Sequence, residues 1–134
     1  MSQKITRGIR NNNPLNIRKG NNWLGERHPL SDPAFEEFSC MVYGLRAGFV
    51  LIRNYIKSGH NTLEKIINRW APPSENDTDH YLAYVATATG LRPGAKLSFI
   101  ESDKVCAIIR AMCQIESRYT PTDRLLAQAY AMAR

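Results

Sequence analysis

No apolar run in this chain approaches the length needed to span a bilayer, and the N-terminal MSQKITRGIR lacks the hydrophobic core of a signal peptide. The expectation is a protein made in the cytoplasm, without a membrane span, and carried by other means to any site of action outside. Cysteine is scarce and odd in number: Cys40, Cys106 and Cys113. Cys106 and Cys113 fall about two turns apart on one predicted helix, too far to bridge each other, so core packing in a reducing compartment is their expected role. No pair of them has metal-ligand spacing with His28, His60 or His80, and neither a metal nor another cofactor is expected. Internal repeats and low-complexity segments are absent. Few aromatics interleave with the basic residues and no known binding motif is present, which argues against nucleic acid as the partner.

What is present is an ordinary globular composition, 134 residues with 43% hydrophobic and 22% charged side chains. That length predicts one domain over 1–134, able to bury a core without disulfide or metal staples. The formal charge is +6, with Lys4, Arg7, Arg10, Arg18 and Lys19 clustered early. Such a surface suits a polyanion, either nucleic acid or an acidic cell-wall polymer. Residues 1–10 show no helical period and read as a flexible basic arm.

An Asn- and Gly-rich stretch follows, in which Leu15-Asn16-Ile17-Arg18 alternates like a short strand and Lys19–Asn22 reads as a turn before Trp23-Leu24. A small β-hairpin or irregular region is predicted here. Its Asn side chains either cap backbone groups locally or line a polar cleft. Ser39 is placed to cap a helix from Cys40 to about Lys57, striped by Met41, Leu45, Phe49, Ile52 and Ile56. Gly44 and Gly48 on it allow another element to approach closely. Asn61 and Glu64 form a capping-box pattern for a helix that Ala71-Pro72-Pro73 stops abruptly. Asp77 or Thr78 caps the next, which runs to Gly90, and Thr120-Pro121 opens the last. The fold class is therefore mainly α (α+β), with about five helices.

One helix stands out, Ser102–Glu116, with Val105, Ile108, Ile109, Met112 and Cys113 at helical spacing. Counting back four, seven and eleven residues from Glu116 reaches Met112, Ile109 and Val105, so this carboxyl sits on the apolar stripe and at a helix C-terminus. Apolar surroundings and an adverse dipole both favour the protonated carboxyl that a general acid needs. The alternatives are a solvated residue on a fraying turn or a partner for a nearby Arg.

Asn12-Asn13-Pro14-Leu15-Asn16-Ile17-Arg18, Trp23-Leu24-Gly25, Phe35-Glu36-Glu37-Phe38, Gly44-Leu45-Arg46, Arg69–Thr78 and Tyr81 together resemble small phage-encoded proteins labelled virion structural or lysozyme-like. The resemblance runs from about Arg7 to Glu116. More remotely the same order is similar to the N-acetylglucosaminidase branch of the lysozyme superfamily, whose catalytic Glu lies on a helix before the Asn-rich segment. Here about ten residues precede that segment and none is acidic. Ile115-Glu116-Ser117 is similar to the Glu-Ser ending the catalytic helix of transglycosylases of that superfamily. A circular permutation would carry that helix to the C-terminal end.

The resemblance implies a lysozyme-like domain and a peptidoglycan-degrading glycosidase, of lysozyme or lytic transglycosylase type, with Glu116 as the acid. Asp77 and Glu75 are candidates for the second carboxylate, as is Asp123, although Asp77 also reads as a helix cap and Asp123 as a first-turn acid. Asn13, Asn16, Trp23, Asn76 and Tyr81 are candidate substrate contacts, and Trp70 is assigned to the core. Glu26, Glu36 and Glu37 lie near the same cleft. The implied partners are peptidoglycan glycan strands and other virion proteins. The implied location is the virion, or the periplasm and cell wall after delivery. The alternative is a non-catalytic virion structural or glycan-binding protein that keeps the lysozyme-like fold.

Overall fold

The side chains of Val105, Ile108, Ile109, Met112 and Cys113 are all closed to solvent, and the helix that carries them forms the centre of the fold. The computed structural model describes residues 5–29 and 31–134 and is mainly helical. The helices are α1 Arg7–Arg10, α2 Met41–Lys57, α3 Leu63–Trp70, α4 Thr78–Thr89, α5 Ser102–Ser117 and α6 Asp123–Ala133. Five of them are the ones periodicity predicts, with the starts of α2, α3 and α6 shifted by one or two residues. Thr62, and not Asn61, caps α3 through its hydroxyl, and Thr122, and not Thr120, caps α6. Cys40 occupies the α2 cap without a side-chain bond, and Glu101 does the same for α5.

The expected basic arm is corrected in part. Residues 1–4 lie outside the described residues, but Arg7–Arg10 is a helical turn. Four residues are too few to show a period, and long-range contacts hold them. Thr6 Oγ1 donates to the Ser117 carbonyl at 2.9 Å, and Arg7 grips the buried Asp32 carboxylate through two bonds of 2.5 and 2.6 Å. Of the two alternatives for the stretch that follows, hairpin or irregular region, the irregular one is found. Among the described residues the extended pieces meet only as isolated bridges, Arg18 with Phe35 and Glu26 with Phe38. The 35–38 piece takes the place of Trp23-Leu24, with Glu36 N donating to Ile17 O and Lys19 N to Ala34 O.

The Asn-rich segment lies directly on α2. A Cβ at Gly44 would stand 2.0 Å from the Asn12 carbonyl oxygen, and one at Gly48 would stand 2.1 Å from Leu15 Cδ1. Both glycines are therefore there for close approach. On the far side α2 packs against α6. Arg53 Nη1 donates to the Ala133 carbonyl at 2.6 Å and Arg46 Nε to that of Met132 at 3.3 Å, which places cations where the α6 dipole favours them. Tyr130 closes this layer by stacking on Phe99 and meeting Phe49 edge-on.

Two neighbouring acids in the 35–38 piece are buried with opposite consequences. Glu37 accepts bonds from the Ser31 and Asp32 amides and from Arg27, which lower its pKa to about 2. Burial, and then the nearby Glu26, raise Glu36 to about 7. The lowered group stabilises the fold above the ordinary Glu pKa of ~4.3, and that contribution is lost as pH falls toward 2. The raised group contributes fully below ~4.3, and its contribution is lost as pH rises through 7. Thermal midpoints of the parent chain are thus expected to decline from pH 5 to pH 8, and Glu36→Gln is expected to hold its midpoint over that range. A Glu36→Gln profile parallel to the parent's would refute the assignment.

Candidate functional site

Glu116 occupies the point where the α5 stripe leaves the core, and its side chain is half-buried. Three donors from three different segments converge on it. Oε2 accepts from Trp70 Nε1 at 3.2 Å and from the Tyr81 hydroxyl at 3.1 Å. Oε1 accepts from Asn16 Nδ2 at 3.3 Å, and the same amide donates to the Glu116 carbonyl at 2.9 Å. None of the ion pairs among the described residues involves Glu116.

Local sequence explains how each donor arrives. Asn16 follows the buried Leu15 with φ of +53°, a left-handed conformation that Asn tolerates better than most residues. Trp70 is the last residue of α3, which Pro72 and Pro73 prevent from continuing. Tyr81 stands one turn into α4. That turn is pinned by the Asp77 carboxylate, which accepts from His80 N at 3.2 Å, and by the Thr78 hydroxyl, which donates to the Ala71 carbonyl. Burial first, and Glu116 second, raise the Tyr81 phenol far above its usual range, so it stays a proton donor throughout. Burial likewise raises the Cys113 thiol, which is neutral beneath the site.

The carboxylate opens into a groove of about 420 Å³. Asn16, Ile17, Arg18 and Phe35 line it from the N-terminal region, Leu51 and Tyr55 from α2, and Arg69–Pro72, Glu75 and Asn76 from the end of α3 and the loop beyond. Among the described residues no group of three or more His, Cys, Asp or Glu side chains is arranged to hold a metal ion.

An alignment with Protein P5 of Pseudoalteromonas phage PM2 is 44% identical over 123 residues, spanning 88% of this chain and 75% of that protein. The chain belongs to the Protein P5 family. No protein-family model matches it. A phage protein is thus its established kin.

In this member of the P5 family the candidate residues separate. Glu116, Asn16 and Tyr81 come together in hydrogen-bonded contact, and Glu75 and Asn76 line the same groove. Asp77 is exposed, and its carboxylate caps α4. Asp123 is exposed beside Arg110 at the start of α6. Asn13 is fully buried and bonds only backbone: its Nδ2 donates to the Ile17 and Glu36 carbonyls, and its Oδ1 accepts from Ile17 N. It presents nothing to the groove. Trp23 does not line the groove, while Trp70, assigned to the core by its periodicity, sends its indole N–H to Glu116. The body of the Trp70 ring does pack against the core, as its periodicity predicts; periodicity places the body of a side chain and not its polar edge. Among the remaining acids, Glu37 is bound within its own loop and Glu36 is buried beside Glu26.

The polar and aromatic groove residues that sequence reasoning left out are Arg18, Phe35 and Tyr55. Arg69 stands beside Trp70 just before a Pro-Pro stop, at the head of the Arg69–Tyr81 segment that the sequence places along the groove: the stop and the capped helix after it hold a polar loop there.

Proposed function

We propose that this protein is a peptidoglycan-degrading glycosidase of phage origin, lysozyme-like in fold, cutting the glycan strand with Glu116 as general acid. The observation that carries the reading is a lone carboxylate with no cationic partner, held by three neutral donors at an open groove. Oε2 is fixed by Trp70 and Tyr81, so Oε1, with one long bond from an amide already committed to a carbonyl, is the oxygen left to carry the proton. Transfer of that proton to the glycosidic oxygen breaks the bond from C1 to that oxygen, and positive charge develops at C1. An acetamido group of the substrate can stabilise that charge, which removes the need for a second carboxylate. The Glu116 carboxylate then takes a proton from the hydroxyl or water that attacks C1.

Kinship with a phage protein supports a virion-associated setting from which the enzyme reaches the cell wall. A second reading, a virion protein that binds glycan without cutting it, draws on the placement of Glu75 and Asp77, neither of which touches Glu116. Digestion of purified peptidoglycan, followed as loss of turbidity and release of soluble fragments, separates the two. Release by the parent chain supports the enzyme, and binding without release supports the second reading.

Tyr81 gives a finer test, because its role is to position. Tyr81→Phe removes one donor to a charged group, worth about tenfold in rate. The expected result is a lower kcat with KM unchanged, since the ring still fills its site. A change confined to KM would instead make the hydroxyl a substrate contact.

A further inference from the structure

The two segments that bring Asn16 and Trp70 to Glu116 each carry a cation into the same groove. Arg18 lies two residues beyond Asn16, and Arg69 immediately precedes Trp70. Each guanidinium rests against an aromatic ring of the groove, Arg18 at 5.1 Å from the Phe35 centroid and Arg69 at 5.4 Å from that of Tyr55. Phe35 also meets Arg7, at 4.5 Å, whose guanidinium is already bound to Asp32. Arg18 and Arg69 are different. Neither forms an ion pair or a side-chain hydrogen bond among the described residues, although both are exposed. Each ring attracts the cation beside it, and among the described residues no side-chain bond occupies the N–H groups of either guanidinium.

We propose that Arg18 and Arg69 determine specificity by binding carboxylates of the substrate, so that the groove takes an acidic, carboxylate-bearing glycan and disfavours a neutral one. The inference rests on the groove being a glycan site, and it names the chemistry that selects among glycans. Planar guanidinium matches planar carboxylate with paired hydrogen bonds, a match that a hydroxyl or acetamide does not give. Against the two cations stand, among the described residues, only Glu116 and the exposed Glu75, so an acidic ligand meets no net repulsion. Carboxylates of a stem peptide and of a lactyl ether share this chemistry, and the experiment separates them.

The test uses the full chain carrying Glu116→Gln, so that bound glycans persist, and measures affinity by calorimetry. The probes are a peptidoglycan disaccharide-peptide fragment, a peptide-free strand with free lactyl carboxylates, each of these two with its carboxylates amidated, and chitotetraose. Amidation is expected to weaken binding about tenfold, the sum of two ion pairs at exposed positions. Adding Arg18→Gln with Arg69→Gln is expected to abolish that difference while chitotetraose binds as before. Arg→Lys at both positions is expected to restore part of the preference. The lactyl carboxyl of the disaccharide-peptide is consumed in its amide bond to the peptide, so tighter binding of the peptide-free strand assigns the recognised carboxylate to the lactyl group, and weaker binding assigns it to the peptide. Free and amidated forms binding alike, for both the disaccharide-peptide and the peptide-free strand, would overturn this inference and leave the glycosidase reading standing. Salt-sensitive binding of a single-stranded DNA oligomer, with no glycan bound, would overturn both.

Discussion

Glu116→Gln is expected to leave a folded protein whose cleavage of peptidoglycan is slower by at least ~10²-fold, the usual scale for loss of a general acid. The substitution keeps the shape of the side chain. With its carbonyl oxygen in the place of Oε2, Gln can still accept from Trp70 and Tyr81, but it loses the bond from Asn16 and has no acid proton to give. Its NH₂ then occupies the place of one former acceptor, a small loss at a half-buried site. Thermal midpoint and circular dichroism are therefore expected to stay close to the parent's, which separates lost chemistry from lost fold. A variant digesting peptidoglycan at the parent's rate would remove Glu116 from the mechanism and turn attention to Glu75, the other acid in the groove.

The position of Glu116 was legible because it extends a period. Val105, Ile109 and Met112 are fully buried, and a residue four further on had to lie at the edge of the same stripe. Its donors were legible unequally. Asp77 and Thr78 announced the start of α4 through capping chemistry, and that start fixes Tyr81. Nothing local tells that α3 and α4 end and begin beside the last turn of α5. Trp70 belongs to α3 by its period and to the site by the direction of its indole N–H, a tertiary fact.

The Asn-rich segment shows the same division within a few residues. Asn12 and Asn16 adopt left-handed backbone, Asn11 donates to Asp32, Asn13 ties two chain segments together, and only Asn16 reaches the groove. Both alternatives read from the sequence, backbone capping and cleft lining, apply to different members of one run. Turn chemistry explains why Asn is used there. It does not tell the four apart, because their partners lie about 20 to 100 residues away. The short helix α1 was hidden for the same reason: Ser117 and Asp32 hold it from a distance.

Asn13→Ala is expected to be the most damaging single change in this segment, lowering stability by about 3 kcal/mol or more. The side chain is closed to solvent and serves three backbone groups. Removing it leaves Ile17 N and the Glu36 carbonyl buried without partners, at ~1–3 kcal/mol each, while the Ile17 carbonyl keeps its bond from Glu36 N. For a chain of this size that loss corresponds to a fall in thermal midpoint of about 10 °C. Asn13→Asp is expected to do no better, because it keeps the acceptor for Ile17 N but exchanges both donated bonds for a buried charge. Asn16→Ala supplies the contrast. Asn16 is half-buried, so its loss is expected to lower stability by about 1 kcal/mol while slowing cleavage, through release of Glu116 Oε1. Urea unfolding of the three variants beside peptidoglycan digestion decides the point. Asn13→Ala retaining the parent's stability, with activity alone reduced, would return Asn13 to the list of substrate contacts.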